Sequence, residues 1–561
     1  MFIMWYWKPS TLVEGGFTLT LNNKKGSENI MDFATGNQDI QRIVDKRHIE
    51  GYHHRNCYED LAKYVFHTDD ARVCTLYGLR RTGKTTLMVQ AMDALKKLGR
   101  AGEILYVHAN DGDHISSLKK LMDTHPDAKY IFVDEATKME DFQGASSILA
   151  DRYAAEEGRR IVLTGTDSLG IKFALSSELF DRAHVIHTTY IPFREHSYLL
   201  DTKDIDDYIR FGGTLTDGSV FYNQDASNDP DFDYTNDAIA LNIQHSLEHY
   251  DGGEGSFGAL LDLYANDELT TFINKLVEKD SHDYFERMLN RSFKSNTIGS
   301  VRQLVETHPN DFEQADADLL RDPVLLERVR EVLNIKPTFH TPITRRAMDE
   351  VKRYLRALEV VYPLSGEENR ILFTQPGLRF SQISKIIGAL KENDTVTKGY
   401  PQSVQEKIWQ RLTDNVMGNI MEDVVFADLL RDKKINERYA VKKFEDHIGH
   451  HEFDVVLLDK KEDLAYLFEV KHSKEQVPEF QARHLLNPEA CRSAEEFYGA
   501  KIAGKTVLYR GEKSVSDGGV SYLNAGNFLR HPQECIKDIQ KVYENQHAMH
   551  ADLNSTRLKN V

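Results

Sequence analysis

Eight consecutive residues have the types and spacing that hold a row of phosphate groups. They read Gly78-Leu79-Arg80-Arg81-Thr82-Gly83-Lys84-Thr85 and fit the pattern GxxxxGK[ST]. Glycines let backbone N–H groups turn toward phosphate oxygens, Lys84 can reach the β- and γ-phosphates, and the Thr85 hydroxyl can hold Mg²⁺. We therefore expect ATP as a cofactor, bound by the residues from Gly78 to Thr86.

Two carboxyl groups further along the chain are the second half of the same predicted chemistry. Asp134 and Glu135 end an apolar segment, residues 129–133, that reads as a buried strand. We expect Asp134 to contact the nucleotide and to bind Mg²⁺ through water, and Glu135 to act as the general base that polarises the attacking water. The alternative is a strand that simply stops at a solvated acidic pair.

A further strand and two arginines supply candidates for sensing the γ-phosphate. Residues 159–166 read as a buried strand with a hydroxyl-bearing tip, expected to lie between the two strands named by the earlier motifs. Thr164 or Thr166 is the sensor candidate, and a plain strand-end turn is the alternative. Arg182 or Arg194 could touch phosphate, in the same chain or from a neighbouring subunit, unless both form ordinary surface ion pairs.

Acidic residues and a lysine recur with a different spacing near the C-terminus. Residues 451–458 and 464–471 read as two strands joined by a short polar turn. Because side chains alternate along a strand, a hairpin can bring Asp454, Glu469 and Lys471 together. This D…ExK arrangement is typical of metal-dependent nucleases.

The expected chemistry of this second site is cleavage of a phosphodiester. Glu422, on a helix predicted to start near residue 417, adds a third carboxylate, so Glu422, Asp454 and Glu469 are the metal candidates. A bound Mg²⁺ activates water, and Lys471 positions that water or stabilises charge, which makes Asp454, Glu469 and Lys471 the catalytic candidates. The alternative is a degenerate domain that binds DNA or protein without cutting.

Composition places limits on these interpretations. With 561 residues the chain should hold several domains, and the net charge of −18 argues against a surface coated for nucleic acid. Residues 201–260 alone carry thirteen acidic and two basic residues, which predicts an exposed acidic insertion. No stretch is apolar enough for a membrane helix. A cytoplasmic setting fits four cysteines without metal or disulfide spacing: Cys57, Cys74, Cys491 and Cys535.

A segment between the two sites has the order of a winged helix. Residues 344–358 predict an amphipathic helix, and residues 360–364 with 371–373 predict a small hairpin after it. The basic side chains of the helix favour either a DNA-recognition surface or a solvated charged face. They are Arg345, Arg346, Lys352, Arg353 and Arg356.

Together these motifs resemble one family, the bacterial and archaeal AAA-type ATPases that carry a C-terminal restriction-endonuclease-like, PD-(D/E)XK, domain. The double arginine inside residues 78–85 is typical of that family. The other matching segments are Phe132-Val133-Asp134-Glu135, Leu163-Thr164-Gly165-Thr166, Pro192-Phe193-Arg194-Glu195, Lys352-Arg353-Tyr354-Leu355, Phe373-Thr374-Gln375-Pro376-Gly377-Leu378-Arg379, Glu452-Phe453-Asp454 and Phe468-Glu469-Val470-Lys471.

The resemblance implies an α/β fold with several parts in a fixed order. They are an N-terminal extension (1–45), a P-loop ATPase core of the ASCE/AAA type (46–200), the acidic insertion with a helical lid (201–335), a winged-helix segment (336–400), a PD-(D/E)XK nuclease-like domain (401–535) and a C-terminal tail (536–561).

The function that these parts predict is ATP hydrolysis in control of a Mg²⁺-dependent DNA nuclease. The resemblance adds a setting in mobile elements or defence systems. A nucleotide-controlled binding switch with an inert nuclease-like module and a DNA-remodelling ATPase are the alternatives. The expected partner is nucleic acid, DNA above all, with homo-oligomers as a further expectation and no membrane contact.

Overall fold

The computed structural model describes the chain in several segments. They are residues 31–215 except 48, 50, 68, 69, 166 and 167, and residues 263, 328, 331, 344–362, 372–398, 402–445, 451–515 and 519–559. The sensor candidate Thr166 lies outside these segments, as does almost all of the acidic insertion and lid expected within 201–335. No helix in the described segments is both long and apolar enough to cross a bilayer.

The phosphate-loop half alternates strands and helices. The strands are β1 (Asp32–Thr35), β2 (Val73–Tyr77), β3 (Ile104–His108), β4 (Tyr130–Asp134), β5 (Arg160–Thr164) and β6 (Ala183–His187). The helices are α1 (Gly36–Lys46), α2 (Tyr58–Phe66), α3 (Lys84–Lys97), α4 (Ile115–Thr124), α5 (Phe142–Ala145), α6 (Ser168–Ser176), α7 (Phe193–Leu200) and α8 (Ile205–Phe211), with 3-10 turns at Ala101–Glu103 and Ala136–Lys138 and a π-helix at Leu149–Glu156.

These strands form one sheet with the order β1-β3-β4-β5-β2-β6. β5 lies between β2 and β4, as the sequence predicts for the sensor strand. Alternate residues of β4 enter two cores, Phe132 with α1 to α3 and Val133 with α4 to α6. Because a parallel sheet covered on both faces buries its strands, these segments are continuously apolar. The carboxyl ends of β2, β4 and β5 therefore share one edge.

The N-terminal boundary of this half lies before residue 46. β1 pairs antiparallel with β3, and Ile40 and Ile43 of α1 are buried in the same core as α3. The expected extension over 1–45 is therefore corrected, because its residues from 32 onward belong to the sheet and its cover. A strand of four residues is too short for its period to be recognised in sequence.

A helix, a hairpin and a second helix follow the undescribed region. They are α9 (Arg345–Ala357), β7 (Val361–Tyr362), β8 (Leu372–Phe373) and α10 (Pro376–Glu392). β7 and β8 are antiparallel, so the predicted helix–hairpin order is present. On α9 the exposed Arg346 contacts the buried Glu350 at 3.2 Å. The winged-helix assignment and its DNA surface stay predictions.

The C-terminal half has its own six-stranded sheet, in the order β13-β14-β12-β11-β10-β9. Its strands are β9 (Tyr439–Glu445), β10 (Glu452–Asp459), β11 (Leu464–Val470), β12 (Lys501–Tyr509), β13 (Ser514–Val515) and β14 (Ser521–Asn524). Its helices are α11 (Gln402–Arg431), α12 (Lys433–Arg438), α13 (Pro478–Gln481), α14 (Arg483–Leu486), α15 (Pro488–Tyr498), α16 (Ala525–Arg530) and α17 (Pro532–Lys559).

The expected tail from residue 536 begins inside a packed helix. Ile536 and Ile539 of α17 are buried in the core of the C-terminal sheet. Gly504 of β12 makes room for this contact, because a Cβ there would lie 2.3 Å from Ile539 Cγ2. The C-terminal half thus extends past the boundary expected at 535.

Candidate functional site

The phosphate loop follows β2 and needs glycine at both of its ends. Gly78 has φ 154°, and a Cβ there would lie 2.3 Å from Thr188 Oγ1, so no side chain fits. Gly83 is left-handed, with φ 85°, and starts α3. Between them Leu79 is buried and its N–H donates to Thr189 Oγ1, whereas Arg80 and Arg81 are exposed. The loop is thus fixed from outside by the residues that follow β6.

Lys84 lies at the centre of this loop. Its Nζ donates to the carbonyls of Gly78 at 2.8 Å and Leu79 at 2.7 Å. Burial lowers the pKa of Lys84 to about 8, although Glu135 and Asp134 oppose the shift. Phosphate charge would reverse that shift, since an anion beside a buried ammonium favours its charged form.

The carboxylate of Asp134 accepts hydrogen bonds from three hydroxyl groups, each on a different strand or helix. Thr85 Oγ1 donates to Asp134 Oδ1 at 3.2 Å, Thr164 Oγ1 donates to the same oxygen, and the Tyr106 hydroxyl donates to Oδ2 at 3.3 Å. A hydroxyl beside a carboxylate at the phosphate loop is the donor set that fits Mg²⁺. Of the two sensor candidates, Thr164 reaches this centre, and Thr166 lies outside the described residues.

Glu135 occupies a strained position next to Asp134. Its backbone is left-handed, with φ 57° and ψ 34°, a conformation that costs a non-glycine residue on the order of 1 kcal/mol or more. Its negative charge is close enough to Lys84 to oppose part of the lowering of the Lys84 pKa by burial. Strain of this kind is concentrated at active sites, which agrees with the predicted role of Glu135 as general base.

Arg182 is not at this site within the same chain. Its carbonyl accepts from Val73 N at 2.9 Å, at the start of β2, whereas the phosphate loop follows the other end of that strand. Its guanidinium binds Asp151 at 2.6 Å. The interpretation in cis is therefore wrong, because a parallel sheet puts strand starts and strand ends on opposite edges. Contact from a neighbouring subunit stays a prediction.

The structure also contains a buried ion pair that the sequence analysis missed. Arg55 Nε lies 2.8 Å from Glu195 Oε1, and both side chains are almost fully buried. Glu195 lies in the family-matching segment Pro192–Glu195, in which only Arg194 was given a role, and Arg194 contacts Asp432 at 3.6 Å. No local pattern marks Arg55, because its partner is 140 residues away.

In the C-terminal half, β10 and β11 bring the predicted catalytic residues together. Val455 pairs with Phe468, the antiparallel register that puts Asp454 beside Glu469. Lys471 Nζ lies 2.6 Å from Glu469 Oε2 and 3.3 Å from Asp454 Oδ2, and Asp454 Oδ2 also accepts from Val470 N at 2.7 Å. These three side chains form the carboxylate–lysine cluster.

Burial and the charges within the cluster shift the pKa values of its three side chains in different directions. Burial raises the pKa of Glu469 to about 8, with Asp454 adding to the rise against the pull of Lys471. Burial also disfavours a charged Asp454, but Lys471 and the Val470 N–H outweigh it and lower its pKa. The pKa of Lys471 is raised because Asp454, Glu469 and Glu422 outweigh its burial.

The carboxylate oxygens of the cluster could bind a divalent cation. Glu469 Oε1 is buried and has no hydrogen-bond partner. An orphaned carboxylate oxygen of this kind is relieved by a cation. Asp454, Glu469 and the more distant Glu422 are the candidate ligands. Within the described segments no three His, Cys, Asp or Glu side chains already form a metal-binding group, so water or backbone oxygen would complete the coordination.

Two of the contacts between the ATP-binding half and the C-terminal half centre on buried or half-buried aspartates, Asp428 and Asp206. The Tyr190 hydroxyl donates to Asp428 Oδ1 on α11, and Phe193 N donates to Asp428 Oδ2 at 2.9 Å. At the second contact, Asp206 of α8 lies 2.8 Å from His472 Nε2 and 2.5 Å from Arg510. His472 directly follows Lys471, so α8 contacts the residue next to the carboxylate–lysine cluster.

Asp428 makes the first contact sensitive to pH. Burial raises the pKa of Asp428 to about 7 against an ordinary value of 3.8. The fold is thus stabilised while Asp428 is protonated, and that stability is lost as pH rises from about 4 through about 7. We expect the free energy of unfolding of Asp428→Asn, relative to the parent, to rise with pH across this window by up to about 4 kcal/mol.

Urea unfolding of both proteins at pH 5 and pH 8 measures this difference, because ionisations shared by the two cancel. An asparagine oxygen can still accept from Phe193 N, so the contact survives in the variant. A stability difference that is the same at both pH values would contradict the shifted pKa of Asp428.

Comparisons with known proteins bear on the ATP-binding half. Residues 70–197 match the family model described as an AAA domain. No curated protein matches the chain. Among solved structures, AMPPCP-bound DnaA from Aquifex aeolicus aligns with 67% of this chain and 98% of its own, at 13% identity and a TM-score of 0.24, a likeness too low to carry an argument. Residues 70–197 are an AAA-type P-loop ATPase domain.

Proposed function

We propose that ATP binding and hydrolysis in this chain control a Mg²⁺-dependent site in its C-terminal half that cleaves nucleic acid, with DNA as the expected substrate. The observation that carries the proposal is the carboxylate–lysine cluster, in which Lys471 lies within 3.3 Å of both Asp454 and Glu469. Two buried carboxylates with a lysine suit phosphodiester hydrolysis better than a purely structural ion pair, because one carboxylate oxygen has no partner.

The roles of the residues follow from their charges. A bound divalent metal supplies activation of water and neutralisation of the phosphodiester. Asp454 and Glu469 hold that metal, and Lys471 holds its proton and faces the charge that develops on phosphate. In the ATP-binding half, Lys84 meets the phosphate charge and Glu135 takes a proton from the attacking water.

Control by nucleotide is supported by the contacts between the halves. Tyr190 follows β6, beside the phosphate loop, and its hydroxyl binds Asp428 of α11. Glu422, near Lys471, lies on the same helix, about 9 Å from Asp428 along the axis. A helix transmits a displacement along its length, so movement at Tyr190 reaches the cluster. Asp206 with His472 offers a second route.

Plasmid cleavage with and without Mg²⁺ and ATP tests this proposal. We expect nicking that requires the metal and whose rate changes when ATP is added. Lys84→Ala is the control, since it should keep the metal requirement and lose the response to ATP. Absence of cleavage of single- and double-stranded DNA and RNA under every metal condition would overturn the nuclease assignment.

A nucleotide-controlled binding switch is the second candidate. It is favoured by the ion pairs that Lys471 already makes with both carboxylates and by the lack, within the described segments, of a ready group of three metal-ligating side chains. This candidate expects nucleic-acid affinity that changes with ATP but no broken strands. A binding titration on the same plasmid, run beside the cleavage assay, separates the two.

A further inference from the structure

Arg55 lies outside every recognised motif, yet it makes direct contact with the phosphate loop. Its NH1 donates to the carbonyl of Thr82 at 2.7 Å and to that of Thr188 at 2.7 Å, and its NH2 donates to that of Tyr190 at 3.0 Å. With the Glu195 ion pair, one buried guanidinium therefore binds the loop, the segment after β6 and α7. We infer that Arg55 is a positioning residue for ATP binding, acting through the Thr82–Gly83 peptide.

The argument rests on the geometry of one peptide unit. A trans peptide is planar, and its C=O and N–H point in opposite directions. Because Arg55 holds the Thr82 carbonyl, the N–H of Gly83 must point away from Arg55. The loop pattern assigns that N–H to phosphate. Arg55 therefore fixes the direction of a donor that it does not itself touch.

Other contacts at the same peptide agree with this role. Thr82 Oγ1 donates to the Leu79 carbonyl at 2.9 Å and contacts Thr188 Oγ1 at 2.8 Å. Rotation of the Thr82–Gly83 peptide would break the Arg55 bond and leave a buried guanidinium donor unpaired, which is costly. Glu195 keeps the guanidinium oriented, because its second oxygen accepts from the Asn56 side chain at 3.1 Å. The loop is thus preorganised before nucleotide arrives.

Arg55→Met is the decisive substitution. Loss of one oriented hydrogen bond to a charged phosphate is expected to weaken binding of ADP and of inorganic pyrophosphate by about 10- to 100-fold. KM for ATP should rise by a similar factor, while kcat at saturating ATP changes less, because this donor serves the ground state and the transition state alike. Arg55→Lys should recover only part of the affinity, since one ammonium cannot span three carbonyls.

Arg159 provides a matched control for lost stability. It is also a buried arginine that binds a backbone carbonyl, Met122 O at 3.0 Å, and a carboxylate, Glu157 at 2.7 Å, but it directly precedes β5, at the edge opposite the phosphate loop. Arg159→Met should lower the thermal midpoint and leave ADP and pyrophosphate affinity unchanged.

Two outcomes would overturn the inference. One is ADP and pyrophosphate affinity of folded Arg55→Met within twofold of the parent. The other is an equal loss of affinity in Arg159→Met, which would assign the effect to general destabilisation. If Arg55→Met does not fold, Arg55→Lys decides by the same affinity criterion, because it keeps the buried charge beside Glu195.

Discussion

Replacement of Glu135 with glutamine is expected to lower the rate of ATP hydrolysis by about 10²- to 10⁴-fold, the usual contribution of a positioned general base. ATP affinity should stay close to that of the parent, because Lys84 and the loop that bind the phosphates are untouched. The amide keeps the shape of the side chain, so the left-handed backbone at this position is not disturbed. Phosphate release and a fluorescent-nucleotide titration measure the two quantities.

Glu140→Gln makes the same chemical change in the loop that follows β4. Its carboxylate is exposed and lies 3.5 Å from His114 Nε2. We expect parental turnover in this control. Turnover of Glu135→Gln within twofold of the parent would remove Glu135 from the mechanism and direct attention to the other acidic group at the site, Asp134.

The second large effect is expected in the carboxylate–lysine cluster. Asp454→Asn and Lys471→Ala should each lower Mg²⁺-dependent cleavage of DNA by at least about 100-fold, because the charge stabilisation that a bound metal supplies is several kcal/mol. Asparagine keeps an oxygen for the Val470 N–H, which Asp454 accepts at 2.7 Å. The strand should therefore keep its register, and ATP turnover of the variant reports that the chain is folded.

Asp459→Asn is the control for this experiment. Asp459 lies at the other end of β10, is buried and pairs with Arg438 at 2.8 Å, so the change removes a carboxylate of similar burial from the same strand. Cleavage by this variant should match the parent. If Asp454→Asn cuts DNA as fast as Asp459→Asn, the cluster is not the catalytic site.

The local sequence pattern was sufficient to predict those parts of the two sites whose residues are close together in the chain. The phosphate loop follows from its residue types and spacing, and strand alternation with a hairpin can bring Asp454 and Glu469 together. The position of β5 between β2 and β4 was expected from a likeness to ATPases that use a catalytic glutamate. Sequence left Thr164 and Thr166 as alternatives, because both carry a hydroxyl at the tip of the same strand; the structure gives the contact of Thr164 with Asp134, and Thr166 lies outside the described residues. Arg182 was expected at the phosphate loop because β6, the strand that begins directly after it, was not recognised in the sequence.

Contacts between distant parts of the chain could not be read from sequence. Arg55 and Glu195 form a buried pair across the fold, and nothing in their own segments distinguishes them from surface charges. Asp428 sits in a helix whose burial is decided by packing against the segment after β6. Such residues can be recognised only from a structure that shows them to be buried. An ionisable group is rarely buried without a partner, so its burial points to the contact that it makes.

The strand β1 has a practical meaning for any fragment of this protein. Its four residues pair with β3 from Asp32↔His108 to Thr35↔Leu105, so β1 covers the border of β3 and is itself the short edge strand of the ATPase sheet. An open border offers unpaired N–H and C=O groups to any extended chain, which is a route to aggregation. A fragment that starts at residue 70, where the AAA match begins, would expose that border and uncover the face of α3 that packs on α1. Residues 31–46 thus cover β3 and α3, and we expect a fragment that lacks them to self-associate more readily than one that starts at residue 31.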